Sequence, residues 1–262
     1  MFDWNLAGQG LLLMLALATL TWLLSLRKRD VSIVDSVWSW FFLAALLLWW
    51  WTPLPTNGPR ASLTLLLVGL WGLRLSGYLT WRNWGQPEDR RYQAIRARNQ
   101  PHYAVKSLVI VFALQALLAW VIAWPILPAM KSPAALGGLD ALGVALFLAG
   151  WCIESLADLQ MARFRARPRG HDAVLDSGLW RYSRHPNYFG ETLLWWGFYL
   201  VAVAAGAPLW IVVSPLLITF LLVKVSGVPL LEADIAERRP AYRDYIRNTS
   251  AFVPRPPGRT PS

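Results

Sequence analysis

The chain has 262 residues, 56% of them hydrophobic, with 17 Trp and a mean hydropathy of +0.37. That exceeds the apolar content a soluble core of this size uses, so the composition excludes an ordinary globular domain and predicts an all-α, polytopic membrane protein. The net charge of +10 is spread over short loops rather than gathered in a nucleic-acid-binding module, so no nucleic-acid partner is expected, and the single cysteine, Cys152, excludes an intrachain disulfide framework and any Cys-based metal site.

Residues 7–26 form an uncharged run long enough to cross a hydrocarbon core of roughly 30 Å as a helix. A signal peptide would carry its basic residues before such a run. Here Asp3 precedes it and Arg27-Lys28-Arg29 follow, which predicts a retained span. A second span is expected over 33–52, with Asp35 near one end and Trp49-Trp50-Trp51 at the other, where amphipathic rings favour the interface. The Pro/Gly loop from Thr52 to Pro59 turns the chain into a third span over 62–82, which contains Arg74 and Tyr78 and ends in the charged loop beginning Arg82-Asn83-Trp84-Gly85.

The fourth span is expected over 105–128 and the fifth over 138–162. The second half of the fifth acquires Glu154 and Asp158, four apart, and is followed by Arg163, Arg165, Arg167 and Arg169. Next comes a dense polar stretch, Arg181-Tyr182-Ser183-Arg184-His185-Pro186-Asn187-Tyr188-Phe189-Gly190-Glu191, feeding a sixth span over 190–205. If a helix starts near Pro186, Asn187 and Glu191 project from one of its faces. A seventh span over 208–228 and a polar tail, helical near 232–248, complete about seven spans in a single membrane domain.

Charge counting sets the orientation. Of the 25 Lys and Arg, Arg60 and Lys131 fall in loops on one side, Arg74 and Lys224 lie within spans, and the other 21 collect on the opposite side. The positive-inside rule then predicts an external N-terminus and a cytoplasmic C-terminus. Many of these cations need do no more than set topology and meet anionic lipid headgroups, and most of the tryptophans need only anchor the interface. Carboxylates within or beside spans are costly, so Asp35, Glu154, Asp158 and Glu191 are functional candidates, with structural ion pairs to Arg74, Arg165 or Arg184 as the alternative. His102, His171 and His185 are scattered and no HExxH is present, so no metal site is expected; GxGxxG, Walker and GxSxG motifs are likewise missing.

Tyr182, Asn187, Gly190 and Glu191, with Glu154, Asp158 and Arg165, resemble the cofactor-binding half of the steroid 5-alpha-reductases, a seven-helix membrane family that reduces an activated C=C bond with NADPH. The chain as a whole is similar to the uncharacterised bacterial branch of that superfamily, a domain of unknown function, through Trp81-Arg82-Asn83-Trp84-Gly85, Arg184 to Glu191, and Ser226 to Glu232. Arg184-His185-Pro186, Tyr188, Gly190, Glu232 and Tyr242–Tyr245 also resemble the isoprenylcysteine carboxyl methyltransferases, which use S-adenosylmethionine.

The first resemblance implies a bacterial inner-membrane reductase acting on a lipophilic, enone-type substrate. NADPH would meet Arg82, Asn83, Glu154, Asp158, Arg165, Arg181, Tyr182, Arg184, His185, Asn187, Glu191 and Tyr242. Asp35, Tyr78 and Glu191 are the candidates for catalysis, Asp35 and Tyr78 being the nearest suitable counterparts of that family's substrate-polarising pair. The second resemblance implies an S-adenosylmethionine-dependent methyltransferase. Phosphates call for several arginines and the sulfonium calls for none, so the basic residues favour NADPH. A non-catalytic, lipid-binding protein is a third possibility. Membrane lipids are expected partners, and the sequence names no protein partner.

Overall fold

A computed structural model describes residues 2–52, 58–167, 170 and 172–258. Arg169, His171 and most of the Thr52–Pro59 loop lie outside the described residues. Helices α1 (Trp4–Lys28), α2 (Ile33–Trp51) and α3 (Pro59–Asn83) come first. They are followed by α4 (Arg90–Arg98), α5 (Tyr103–Ile122), α6 (Ile126–Lys131) and α7 (Gly138–Arg165). The chain ends with α8 (Pro186–Ala204), the helical run α9 (Leu209–Arg238) and α10 (Tyr242–Asn248).

The chain is all-helical among the described residues. Six helices, α1, α2, α3, α5, α7 and α9, are long and apolar enough to cross a membrane, which makes this an integral membrane protein. The sixth expected span, 190–205, falls on α8, which is not one of the six: its first two turns carry Asn187 and Glu191. The expected fourth span, 105–128, is broken after Ile122 by a turn at Ala123–Pro125. The helices divide into two compact units, Met1–Asp140 with Leu200–Ser214, and Ala141–Tyr199 with Pro215–Ser262.

Helix α1 turns mostly small residues inward, while α2 buries Phe41, Phe42 and Trp49. The buried face of α1 is Leu6, Ala7, Gly10, Met14, Ala18, Thr21 and Ser25, while Leu12 and Leu20 are exposed. Lipid is as apolar as leucine, so large aliphatic groups gain little by turning inward, and small residues let backbones approach. Gly10 lies against the Trp49 ring, where a Cβ would come within 2.9 Å of Cζ2, and the Trp49 indole N–H donates to the Leu6 carbonyl at 3.0 Å. Between α2 and α3, Ser39 donates to the Gly72 carbonyl at 2.7 Å, and Trp40 donates to Ser76, which donates to the Ser36 carbonyl, both at 2.8 Å.

The two basic residues assigned to external loops are both neutralised. The Arg60 guanidinium spans both Asp140 oxygens at 2.8 Å and gives its remaining N–H groups to Ser132 and the Ala134 and Ala135 carbonyls. Lys131 pairs with Asp3 at 2.5 Å, and Asp3 also caps α1 by accepting from the Leu6 N–H. That end of the unit therefore exposes little net charge from these four residues.

At the opposite end, α4 is fastened by carboxylates. Glu88 accepts from Arg96 at 2.7 and 2.9 Å and from the Val31 N–H at 2.9 Å. Burial alone pushes the Glu88 carboxyl up, but these bonds outweigh it and hold it below its ordinary value of 4.5. Asp89, bound by Arg91, is lowered against burial in the same way. A depressed carboxylate stabilises the fold above its unfolded pKa, and the contribution is lost as pH falls through the folded value. Thermal unfolding in detergent should therefore show stability falling below about pH 4.5. Glu88→Gln should cost on the order of 1–2 kcal/mol at pH 7 and flatten that acid limb.

Candidate active site

In the second unit α7 and α8 run antiparallel with their backbones in contact. A Cβ on Gly150 would lie 2.5 Å from the Gly190 carbonyl oxygen and 2.6 Å from the Leu194 nitrogen. One on Gly190 would meet the Gly150 oxygen at 2.5 Å, and one on Gly197 the Gly143 oxygen at 2.6 Å. Glycines seven residues apart on each helix thus form one seam, the close approach that small residues permit inside a membrane. Phe147 and Phe198 pack edge to face beside it, with ring centroids 5.1 Å apart.

The seam decides which polar groups meet. Glu154 is next to Gly190, with its Cβ 3.0 Å from the position a Gly190 Cβ would take. One turn further along α7, Asp158 accepts a hydrogen bond from the Asn187 amide at 3.3 Å. Glu191 accepts from the Trp195 indole N–H at 3.0 Å, one turn along α8. Glu154, Asp158 and Glu191 are all buried, whereas the Asn187 amide oxygen, Oδ1, is buried with no hydrogen-bond partner among the described residues. The helix does begin at Pro186, as the sequence predicts, so Asn187 and Glu191 share a face. Arg165, at the last turn of α7, and Arg181 and Tyr182, on and after the 3-10 turn Gly178–Arg181, are exposed.

Arg184, expected near a phosphate, and His185, expected at the cofactor, are engaged by the protein itself. Arg184 gives Nε and Nη2 to the two oxygens of Glu232 at 2.7 and 2.9 Å, and Nη1 to the carbonyls of Ile246 and Thr249. Burial works against its charge, but Glu232 overcomes this and raises the Arg184 pKa. His185 Nε2 lies 2.9 Å from the same Glu232 oxygen, and its ring stacks on Tyr188. The C-terminal segment closes over this knot. The Arg184 N–H donates to the Ser250 carbonyl at 2.8 Å, Ser183 Oγ to that of Phe252 at 2.8 Å, and the Tyr245 hydroxyl to that of Trp180. Tyr242, expected at the cofactor, is buried edge-on to Tyr245, and burial pushes both phenols up. Donors already spent on protein acceptors have little left for a ligand, so Arg184 is a structural tie.

The other expected residues belong to the first unit. Asp35 accepts from Arg91 at 2.7 Å and from the Tyr92 hydroxyl at 2.5 Å, and Tyr92 in turn accepts from Gln115 at 3.0 Å. Asp35 is therefore held in a structural ion pair, but with Arg91 and not with the Arg74 that the sequence offers as its alternative partner. Tyr78 lies beside Arg82, whose guanidinium sits 5.9 Å from the ring centre and donates to Asn83 at 3.0 Å.

Sequence reasoning passed over Trp195, Glu232, Arg91 and Tyr92 as site residues. Trp195 could have been found, since it stands four residues after Glu191 on a predicted helix. Glu232 stands 48 residues after Arg184, and no helical or strand period connects them.

The family model described as a protein of unknown function, DUF1295, matches residues 21–249. An uncharacterized protein of the fission yeast Schizosaccharomyces pombe is 28% identical over 278 residues, covering 94% of this chain and 79% of the yeast protein. No solved structure matches. By its sequence from residue 21 to residue 249, helices and polar seam included, this chain belongs to the DUF1295 family.

Proposed function

We propose that this protein is a membrane oxidoreductase, similar to steroid 5-alpha-reductases, that uses NADPH to reduce a C=C bond of a lipophilic enone. The observation that carries the reading is Asn187. Its amide nitrogen is bound by Asp158, which leaves a buried carbonyl oxygen in need of a donor beside Glu191. The carboxamide of a nicotinamide offers an N–H to that oxygen. The exposed Arg165 and Arg181 supply phosphate contacts, Glu154 and Asp158 orient ribose hydroxyls, and Tyr182 borders the nucleotide.

The nucleotide would supply a hydride for the β-carbon of the enone; the negative charge would then rest on the carbonyl oxygen as an enolate, and the α-carbon would take its proton from bulk solvent once the closed site opens. The chain's part is to hold the nucleotide, exclude water and meet the oxygen. Asp35 is engaged by Arg91 and Tyr92, so we give it the task of fixing α4 rather than meeting the substrate. The paired charges of Arg60 and Lys131 support an external N-terminus and a cytoplasmic nucleotide site, with the bacterial inner membrane as the setting.

One observation favours a methyltransferase instead: Arg184, His185, Glu232, Tyr242 and Tyr245, shared with the isoprenylcysteine enzymes, cluster together, and three buried carboxylates suit a sulfonium. Membranes supplied with NADPH and a panel of lipophilic enones test the reductase reading. Asn187→Ala and Glu191→Gln should each lower turnover about 10- to 100-fold. Arg247→Ala, at an exposed residue paired with Asp244, should leave it within about 2-fold. If all three variants behave alike at normal expression, the seam is structural and the reading falls.

A further inference from the structure

Two donors on α7 have been given no role so far. The Trp151 indole N–H and the Ser155 hydroxyl are buried and have no hydrogen-bond partner among the described residues. A helical hydroxyl in an apolar setting ordinarily turns back to the carbonyl four residues earlier. Thr19, Thr21, Thr52, Thr64 and Thr219 of this chain all do so, at 2.5–2.9 Å. Ser155 does not. Within a bilayer no water compensates an unmade bond, so donors left open in this way are costly unless a ligand closes them.

Their position links them to the seam. Trp151 follows Gly150, and Glu191 follows Gly190, so each is turned about 100° in the same sense away from the glycine contact. In an antiparallel pair that rotation carries both to one side. Trp151, Ser155 and Asp158 (i, i+4, i+7) therefore form the α7 wall of a strip whose α8 wall is Asn187, Glu191 and Trp195. The Asn187–Asp158 bond marks that same side. Ser155 sits three residues, about 4.5 Å of helix rise, nearer the membrane centre than Asp158, and Trp151 another turn deeper.

We propose that Trp151 and Ser155 are substrate-binding donors that receive the carbonyl oxygen of the lipophilic substrate as it gains charge during reduction. The assignment rests on the reductase reading and names the part of the site that faces the substrate rather than the nucleotide. A ligand group with acceptor lone pairs fits both donors, and a hydrocarbon fits neither. The donors strengthen their bonds as the oxygen becomes negative, which is the differential contact that catalysis needs.

Ser155→Ala, Ser155→Thr and Trp151→Phe in the full-length, detergent-purified protein test this. In the ligand-free state the Ala and Phe variants should melt at the same temperature as wild type or higher, because each removes an unmatched donor rather than a bond. Their NADPH Kd should stay within about 2-fold, while kcat/KM for enones falls about 10-fold or more in each. Ser155→Thr, which keeps the hydroxyl, should retain most activity. A lowered melting temperature in Ser155→Ala would show that the hydroxyl is already bonded and would overturn the assignment. Undiminished turnover in both variants, or a wild type that binds NADPH yet reduces no enone, would overturn it as well. A wild type that fails to bind NADPH overturns the reductase reading itself, and this assignment with it.

Discussion

Gly150→Ala should abolish the native seam, with a loss on the order of 3 kcal/mol or more and a corresponding loss of folded protein in membranes. The added methyl would stand 2.5 Å from the Gly190 carbonyl oxygen and 2.6 Å from the Leu194 nitrogen, both backbone atoms that no rotamer change can move aside. Gly190→Ala should behave the same way, since its methyl would meet the Gly150 oxygen at 2.5 Å. Gly69→Ala on α3 is the control: nothing lies within 4 Å of its Cβ position, so it should be neutral or gain up to about 1 kcal/mol from helix propensity. Detergent melting temperatures and folded yield report both effects.

The second large effect is expected at the Arg184 tie. Glu232→Gln leaves a buried guanidinium without its carboxylate, and removing one member of such a pair typically costs about 3–5 kcal/mol. The C-terminal segment should then detach from Trp180–His185, seen as faster proteolysis after Glu232. Arg184→Met combined with Glu232→Leu should recover a large part of the loss, because two apolar side chains leave no charge unpaired. If the single and double variants are equally destabilised, the ion pair is not what holds the tail.

The helices were legible in the sequence because the bilayer imposes length and apolarity on each segment separately. The expected third span, 62–82, became Pro59–Asn83, and the fifth, 138–162, became Gly138–Arg165. The pairing of Asn187 with Glu191 was legible for the same local reason, since helical spacing follows once Pro186 starts the helix. What stayed hidden was partner choice. Asp35 meets Arg91 and Tyr92, 56 and 57 residues on, and Arg184 meets Glu232, 48 residues on. Charge alone left several cations equally suitable for each carboxylate. The glycine seam lies between: residues 143, 150, 190 and 197 repeat at seven, but only the close approach of α7 and α8 gives that repeat a meaning.

We propose that the polar row beside the seam holds the nicotinamide end of NADPH. Equilibrium titration of the purified protein with NADPH, NADH and S-adenosylmethionine tests it most directly, with Asn187→Ala as the internal check. NADPH should bind saturably, NADH more weakly where the 2′-phosphate is missing, and Asn187→Ala should lower NADPH affinity about 10-fold or more. Saturable binding of S-adenosylmethionine with none of either dinucleotide would contradict it.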